Sequence, residues 1–293
     1  MTNPSDSIEQ KVELEPQPTP RDVLSAGKEF LNHYLTEEID PVGDHERFLD
    51  SLNQIGDPRY EGGRDLLRFE LEQATDSHDW PQDEKDVINK TAEAMRMLET
   101  ETPLSGNYDV IVALGGARMA NLDRPKYAAD AVKNGRASFD HMVVAGSARP
   151  LRPDEQPLAE KYGLSAAFTE FDLCDAAAKI VASENPDLSI SSYTAGDEKA
   201  NTPKVLANTF RKLRAEGKLP EGTRVAAVTT QIYQVSTSLD VKRVAKQFGL
   251  EAMAAGNPSD PELVAKRTPA TYKSEILRTL KAAAMAAKAE AGQ

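Results

Sequence analysis

Tyr108-Asp109-Val110-Ile111-Val112-Ala113-Leu114-Gly115-Gly116 is the stretch on which the fold turns. Val110 to Leu114 is a short apolar run rich in β-branched residues, and it stops at paired glycines. A continuous run of this kind suits a strand buried on both faces, as in a parallel sheet. The same grammar recurs downstream. His141 to Gly146 reads as a second strand, Ser189 to Tyr193 as a weaker one, Arg224 to Val228 as a third strong one and Leu250 to Ala254 as a short last one. Between them lie helical stretches at 126–134, 154–162, 172–183, 202–216 and 239–248, and an Ala-rich helix closes the chain at about 272–287. Strands alternating with helices of this length are the signature of βαβ units, whose right-handed crossovers put helices on both faces of the sheet. The expected fold is an α/β, Rossmann-like three-layer sandwich with a mostly parallel sheet over residues 105–260.

Upstream, the pattern is helical. Val23, Leu24, Phe30, Leu31, Tyr34 and Leu35 recur at three- and four-residue spacing, as do Phe48, Leu49, Leu52 and Ile55. Leu66, Leu67, Phe69 and Leu71 suggest a third helix, and Val87, Ile88, Ala92, Met95 and Leu98 a fourth. Residues 20–104 are therefore read as an α-helical N-terminal region, preceded by a Pro-rich polar lead-in over 1–19 that composition marks as disordered. Residues 261–293 form a C-terminal segment whose helix is expected to pack on the sheet domain.

Charge is unevenly spread. Residues 1–100 hold 10 Lys/Arg against 24 Asp/Glu, and the remaining residues 25 against 23, giving the net charge of −12. An acidic first third without a basic stripe anywhere argues against nucleic acid as partner. No stretch reaches the roughly 20 apolar residues of a membrane span, and the start lacks the basic and apolar regions of a signal peptide. A lone cysteine, Cys174, excludes an internal disulfide framework. The expectation is a cytoplasmic protein that engages neither nucleic acid nor membrane.

In an open parallel sheet, ligands bind beyond the carboxyl ends of the strands, so four loops are the candidates. After the first strand come Gly115, Gly116 and Arg118, where backbone N–H groups can approach an anion and the guanidinium can pair with it. The alternative is a tight turn beside a solvated arginine. After the second come Ser147, Arg149, Arg152 and Glu155. Glu155 also fits plain compensation of a helix dipole. The third loop carries Glu198, Asn201 and Thr202, of which Asn201 or Thr202 can cap the helix that Pro203 opens. The fourth carries Thr229, Thr230, Gln231 and Tyr233, polar groups that need partners at a strand end.

Familiar catalytic sets are missing. His33, His45 and His78 lie in the acidic helical region, and His141 opens a strand at its amino end. Neither a G-x-S-x-G elbow nor H-E-x-x-H is present. Cys174 stands beside Asp172 and Asp175, whose charges disfavour a thiolate, so a buried, inert thiol is expected.

Taken together, Gly115, Gly116, Arg124, Gly146, Glu155, Asn201, Thr202, Thr229 and Thr230, in that order on strand ends and helix starts over about 108–257, resemble the YdcF/SanA/ElyC family. The resemblance implies a Rossmann-like fold with its pocket at the strand ends, and it admits a nucleotide-type ligand, S-adenosylmethionine among them. Some relatives are membrane-anchored at the cell envelope, whereas no anchor-like stretch occurs here. The family usually shows a Tyr-His pair followed by Arg after the last major strand. This chain reads Ile232-Tyr233-Gln234-Val235-Ser236, without the His and the Arg. That departure separates ligand class from reaction, and no reaction is assigned. The functional expectation is an anionic, nucleotide-like small molecule held at the strand ends by Gly115, Gly116, Arg118, Arg149, Asn201 and Thr202. Any acid–base role then falls to Glu155, Glu198 or Tyr233. The competing expectation is a non-catalytic interaction protein that uses the acidic helical region as a partner surface.

Overall fold

A computed structural model describes residues 17–55, 80–99, 101–116, 120–153, 155–161, 163–164, 168–196, 201–258, 264 and 267–292. Within these, the strands are β1 (Gly106–Leu114), β2 (Ala137–Gly146), β3 (Ile190–Thr194), β4 (Arg224–Thr230) and β5 (Glu251–Asn257). They form one sheet in the order β3-β2-β1-β4-β5, and every neighbouring pair is parallel. The fold is the α/β, Rossmann-like sandwich that the alternating pattern calls for. Both flanking strands start earlier than their apolar runs, because Gly106, Asn107 and Tyr108 pair with Ala137, Ser138 and Phe139 through the backbone at a partly exposed edge.

The side chains of β1 explain the layers. Val110, Val112 and Leu114 point to one face, Ile111 and Ala113 to the other, as the twofold alternation of a strand requires. The first face packs on α8 (Thr202–Ala215) and α9 (Gln234–Lys246) through Leu206, Phe210, Val241 and Val244. The second packs on α5 (Ala120–Lys133) and α7 (Glu170–Glu184), where Ala128, Ala129, Ala131, Cys174, Ala177 and Ala178 let the helices lie close to the strands.

The helical region begins at α1 (Pro20–Ala26), closed by a capping box between Thr19 and Asp22. Residues 17–19, assigned by composition to the lead-in, are thus engaged, and the Gln17 side chain also reaches Gln234. Then follow α2 (Lys28–Tyr34), α3 (His45–Gln54) and α4 (Gln82–Ala94). The helix expected around Leu66 to Leu71 lies outside the described residues. A short α6 (Gln156–Lys161) lies between β2 and α7, and α10 (Pro269–Glu290) ends the described chain. Phe30, Phe48, Leu52, Ile88 and Met95 share one apolar cluster with Ile276, Leu277 and Leu280 of α10 and with Ile232, Val235 and Leu239 beside α9. The C-terminal helix is therefore the common wall between the N-terminal helices and the α9 side of the sheet domain. None of the helices among the described residues is long and apolar enough to cross a membrane.

Two helices begin before the sequence pattern announces them. Pro125 reads as a helix start, yet α5 runs from Ala120. Its first turn is held by side chains instead: Asn121 accepts from the Gly116 N–H at 2.9 Å, and Arg124 reaches back to β1. The polar run Gln234 to Ser238 is helical and buried, because the Gln234 amide donates to the Ala254 carbonyl at 3.0 Å.

His141 sits at the amino edge of the sheet, its ring nitrogens within 2.7 Å of the Ser189 hydroxyl and 2.9 Å of the Ser191 hydroxyl. Burial, then the nearby Lys218, holds its pKa below the ordinary 6.5, with Glu216 opposing. The folded state thus favours the neutral ring, and this stability is lost as pH falls from the unfolded value through the lowered folded one. Urea midpoints measured at about pH 7.5 and 5.5 are expected to fall for the wild type and to fall less for His141→Gln. Equal falls in both proteins contradict this account.

Candidate functional site

The strand order places a topological switch at the sheet centre. After β1 the chain crosses to β2 and β3 on one side, and it later returns to β4 and β5 on the other. Sheets of this order hold ligands in a crevice between such divergent loops at the carboxyl edge, a place that falls here between β1 and β4. Gly115 extends the β1–β2 ladder by one bond, donating to the Ala145 carbonyl at 2.6 Å.

Arg124 spans this crevice. It reaches from α5, is 4% exposed, and donates through Nη1 to the carbonyls of Leu114 and Gly115 at 2.7 and 2.6 Å. Its Nε and Nη2 donate to the Thr230 hydroxyl at 3.3 and 3.1 Å. One guanidinium therefore ties the end of β1 to the end of β4. Burial lowers its pKa to about 10, with Tyr233 and Glu170 opposing and Arg278 adding, so it remains charged at neutral pH. Among the described residues no carboxylate lies within ion-pair distance of it. A Cβ on Gly116 would lie 3.0 Å from Nη1 and Nη2, so the glycine is what lets the loop pass over the guanidinium.

The β2 side is different. Arg149 faces Glu155 in a bidentate pair, 2.7 and 2.8 Å, and its Nε lies 3.3 Å from Glu170. Glu155 is fully buried and also accepts the Arg152 N–H at 2.9 Å, so its carboxylate serves an ion pair beyond dipole compensation. Burial opposes the Arg149 charge, but the two carboxylates outweigh it and its pKa is raised. The sequence suggests Arg149 as an anion partner; in the structure its guanidinium is already matched by two carboxylates. Ser147 is buried beside them and donates its hydroxyl to Glu170. Cys174 lies beneath, its Sγ 3.4 Å from Asn121 Oδ1. Burial, then Glu170, pushes the thiol well above its ordinary value. The cause is not the adjacent acids: Asp172 belongs to the capping box with Thr169, and Asp175 bonds Lys179 and Ser192.

The remaining expected residues divide. Thr230 faces Arg124, whereas Thr229, next along the strand, turns to the opposite layer and is buried. Asn201 caps α8, accepting from the Lys204 N–H at 3.2 Å. Thr202 accepts from Nη2 of Arg278 at 2.9 Å, and the same guanidinium lies 5.4 Å from the Tyr233 ring centre. Arg118 and Glu198 lie outside the described residues. The structure thus gathers Gly115, Gly116, Arg124, Thr230, Tyr233, Thr202 and Asn201 along the β1–β4–α8 side. Gly146, Ser147, Arg149 and Glu155 form a separate internal network.

Two residues at this edge escape the sequence reading. Arg278 comes from α10, far along the chain, and no local pattern points to it. Glu170 opens α7, and the Thr169-x-x-Asp172 capping box does mark a helix start there. Two clefts lie elsewhere. One, of about 400 Å³, is at the amino edge around Asp109, His141 and Thr223. The other, of about 600 Å³, runs between α1, α2, α3 and α10. Among the described residues no acidic, His and Cys groups cluster as a metal site would require.

No protein-family model matches the chain, and no curated protein does. Among solved structures, the signal recognition particle receptor FtsY from Elizabethkingia anophelis aligns over 88% of this chain and 94% of its own, at 11% identity and a TM-score of 0.23. A likeness so slight carries no argument about function.

Close packing of the glycine edge has a direct consequence. A Cβ on Gly146 would stand 2.7 Å from Cys174 Sγ. Gly146→Ala is expected to destabilise by about 1–3 kcal/mol through overpacking, and adding Cys174→Ala to recover most of that loss. Urea unfolding of the two single mutants and the double mutant checks it; simple additivity contradicts the contact.

Proposed function

We propose that this chain binds an anionic small molecule at the carboxyl edge of its sheet, between β1 and β4, among Gly116, Arg124, Thr202, Thr230, Tyr233 and Arg278. The observation that supports this reading is Arg124. It is a buried guanidinium whose donors meet carbonyls and a hydroxyl, with no carboxylate within ion-pair distance among the described residues. Buried charges are otherwise paired, because an uncompensated one costs several kcal/mol. A phosphate or carboxylate at this edge supplies the direct ionic partner that Arg124 lacks. Arg278 is a second cation at this edge, partly exposed, held by the Thr202 hydroxyl and lying 3.6 Å from the Glu275 carboxylate. The resemblance to the YdcF/SanA/ElyC family favours a nucleotide-like ligand, S-adenosylmethionine included. The one cysteine is a buried free thiol, which fits a reducing, cytoplasmic setting.

A second reading has its own support. The cleft between the N-terminal helices and α10 is lined by Leu24, Leu31, Leu35, Ile39, Val42 and Phe48, with Glu37, Glu38 and Glu290 at its border. An apolar groove bordered by charges of both signs, Arg21 and Lys28 with Glu37, Glu38 and Glu290, suits a protein partner better than a small anion.

A thermal-shift series with inorganic phosphate, nucleoside di- and triphosphates, S-adenosylmethionine, nicotinamide dinucleotides and sugar phosphates separates the two readings. A bound ligand at 100 times its Kd stabilises by about 2.7 kcal/mol, a rise of a few degrees in Tm. Arg278→Ala is expected to lower the unliganded Tm, since it removes a partner of the buried Glu275, and to abolish the ligand-induced shift measured from that new baseline. Absence of a shift with any of these compounds overturns the anion site and favours the helical groove.

A further inference from the structure

We infer that Glu170 is the second pole of the proposed site, accepting a hydrogen bond from a hydroxyl of the bound anion. The ligand class is then a hydroxylated anion, such as a phosphorylated sugar or a nucleotide. This inference rests on the anion-binding reading above.

The geometry of the carboxylate carries it. Glu170 is 6% exposed, and its two oxygens differ in what surrounds them. Oε2 accepts from the Ser147 backbone N–H at 3.3 Å and from the Ser147 hydroxyl, and it lies 3.3 Å from Arg149 Nε. Oε1 has no hydrogen-bond partner among the described residues. Yet it lies at the strand-end loop: a Cβ on Gly115 would stand only 2.8 Å from it. The next residue, Gly116, approaches the Arg124 guanidinium just as closely, with a hypothetical Cβ 3.0 Å from Nη1 and Nη2. Two adjacent glycines therefore bring the loop against an acceptor on one side and a cation on the other. Oε1 has no donor within the described residues and is not one of the fully enclosed atoms, so it is open to a donor from outside the chain.

The charges around Oε1 say which donor suits it. Arg124 and Arg149 carry two positive charges and Glu155 and Glu170 two negative ones, so the group is neutral. The Glu170 charge is already met by Arg149. A ligand ammonium would add a cation beside the buried Arg124, whereas a hydroxyl satisfies Oε1 without changing the charge. A purely structural Glu170 would need only Oε2, a role that a glutamine carbonyl oxygen also fills.

Isothermal titration of the full chain with methyl phosphate and with ribose 5-phosphate tests this. Both are phosphate monoesters, and they differ in the hydroxylated ring. The wild type is expected to bind ribose 5-phosphate about tenfold more tightly, the worth of one hydrogen bond to a charged acceptor. In Glu170→Gln that preference is expected to shrink to within about twofold, with methyl phosphate affinity little changed. Equal binding of the two phosphates by the wild type overturns the role of Glu170 and leaves the anion site standing. An undiminished preference in a folded Glu170→Gln also overturns it. Binding of neither phosphate overturns the anion reading itself. Should the variant fail to fold, the wild-type comparison still decides.

Discussion

The Arg124 guanidinium sits where water scarcely reaches, and the carbonyls of Leu114 and Gly115 and the hydroxyl of Thr230 hold it there. Much of the carboxyl edge follows from that constraint. The end of β1 must keep its last carbonyls free of other donors and turned towards α5. Gly116 must lack a side chain, since any Cβ would press on the guanidinium. The first turn of α5 must form despite Pro125, which forfeits one helical hydrogen bond. Asn121 and Arg124 hold that turn through tertiary contacts that replace the missing local one. The crevice between β1 and β4 is thereby fixed from both of its walls.

The buried Arg124 and the half-buried Arg149 show contrasting solutions to one electrostatic problem. Arg149 is compensated within the fold by Glu155 and Glu170, and this pairing raises its pKa against the effect of burial. Such a network need add little net stability, since desolvation offsets most of the attraction, but it fixes geometry. Arg124 has carbonyls and a hydroxyl at its donors, with Glu170 acting only from beyond ion-pair distance, and burial lowers its pKa. A fold that neutralises one cation so fully and leaves its neighbour to carbonyls has separated scaffold from site. Arg278 extends the site outward, and because it stands on α10 it links the edge to the helical layer.

The sheet was legible because β-branched runs ending in glycine have few other uses, and Val110 to Leu114 alone indicates a strand buried on both faces. Boundaries were less so. Gly106 to Tyr108 and Ala137 to Asp140 pair through the backbone with partly exposed side chains, and periodicity carries no trace of that. Pro125 concealed the start of α5, and the polar residues Gln234 to Ser238 concealed that of α9. At the edge itself, Gly115, Gly116 and Thr230 could be placed by the rule of strand ends, and Arg124 only through the family resemblance. Whether an arginine faces carboxylates or carbonyls could not, because Glu155, Glu170 and Thr230 reach their partners through side-chain rotamers set by packing. Arg278 meets Thr202 across 76 residues, a contact outside any local pattern.

A crystal structure of the protein grown with tungstate, a tetrahedral dianion that stands in for phosphate and scatters anomalously, tests the central claim most directly. The account places the tungsten peak at the carboxyl edge, beside Gly116 and within reach of the Arg124 and Arg278 guanidinium groups. Anomalous density confined to other surfaces, with Arg124 still facing only carbonyls and Thr230, would contradict it.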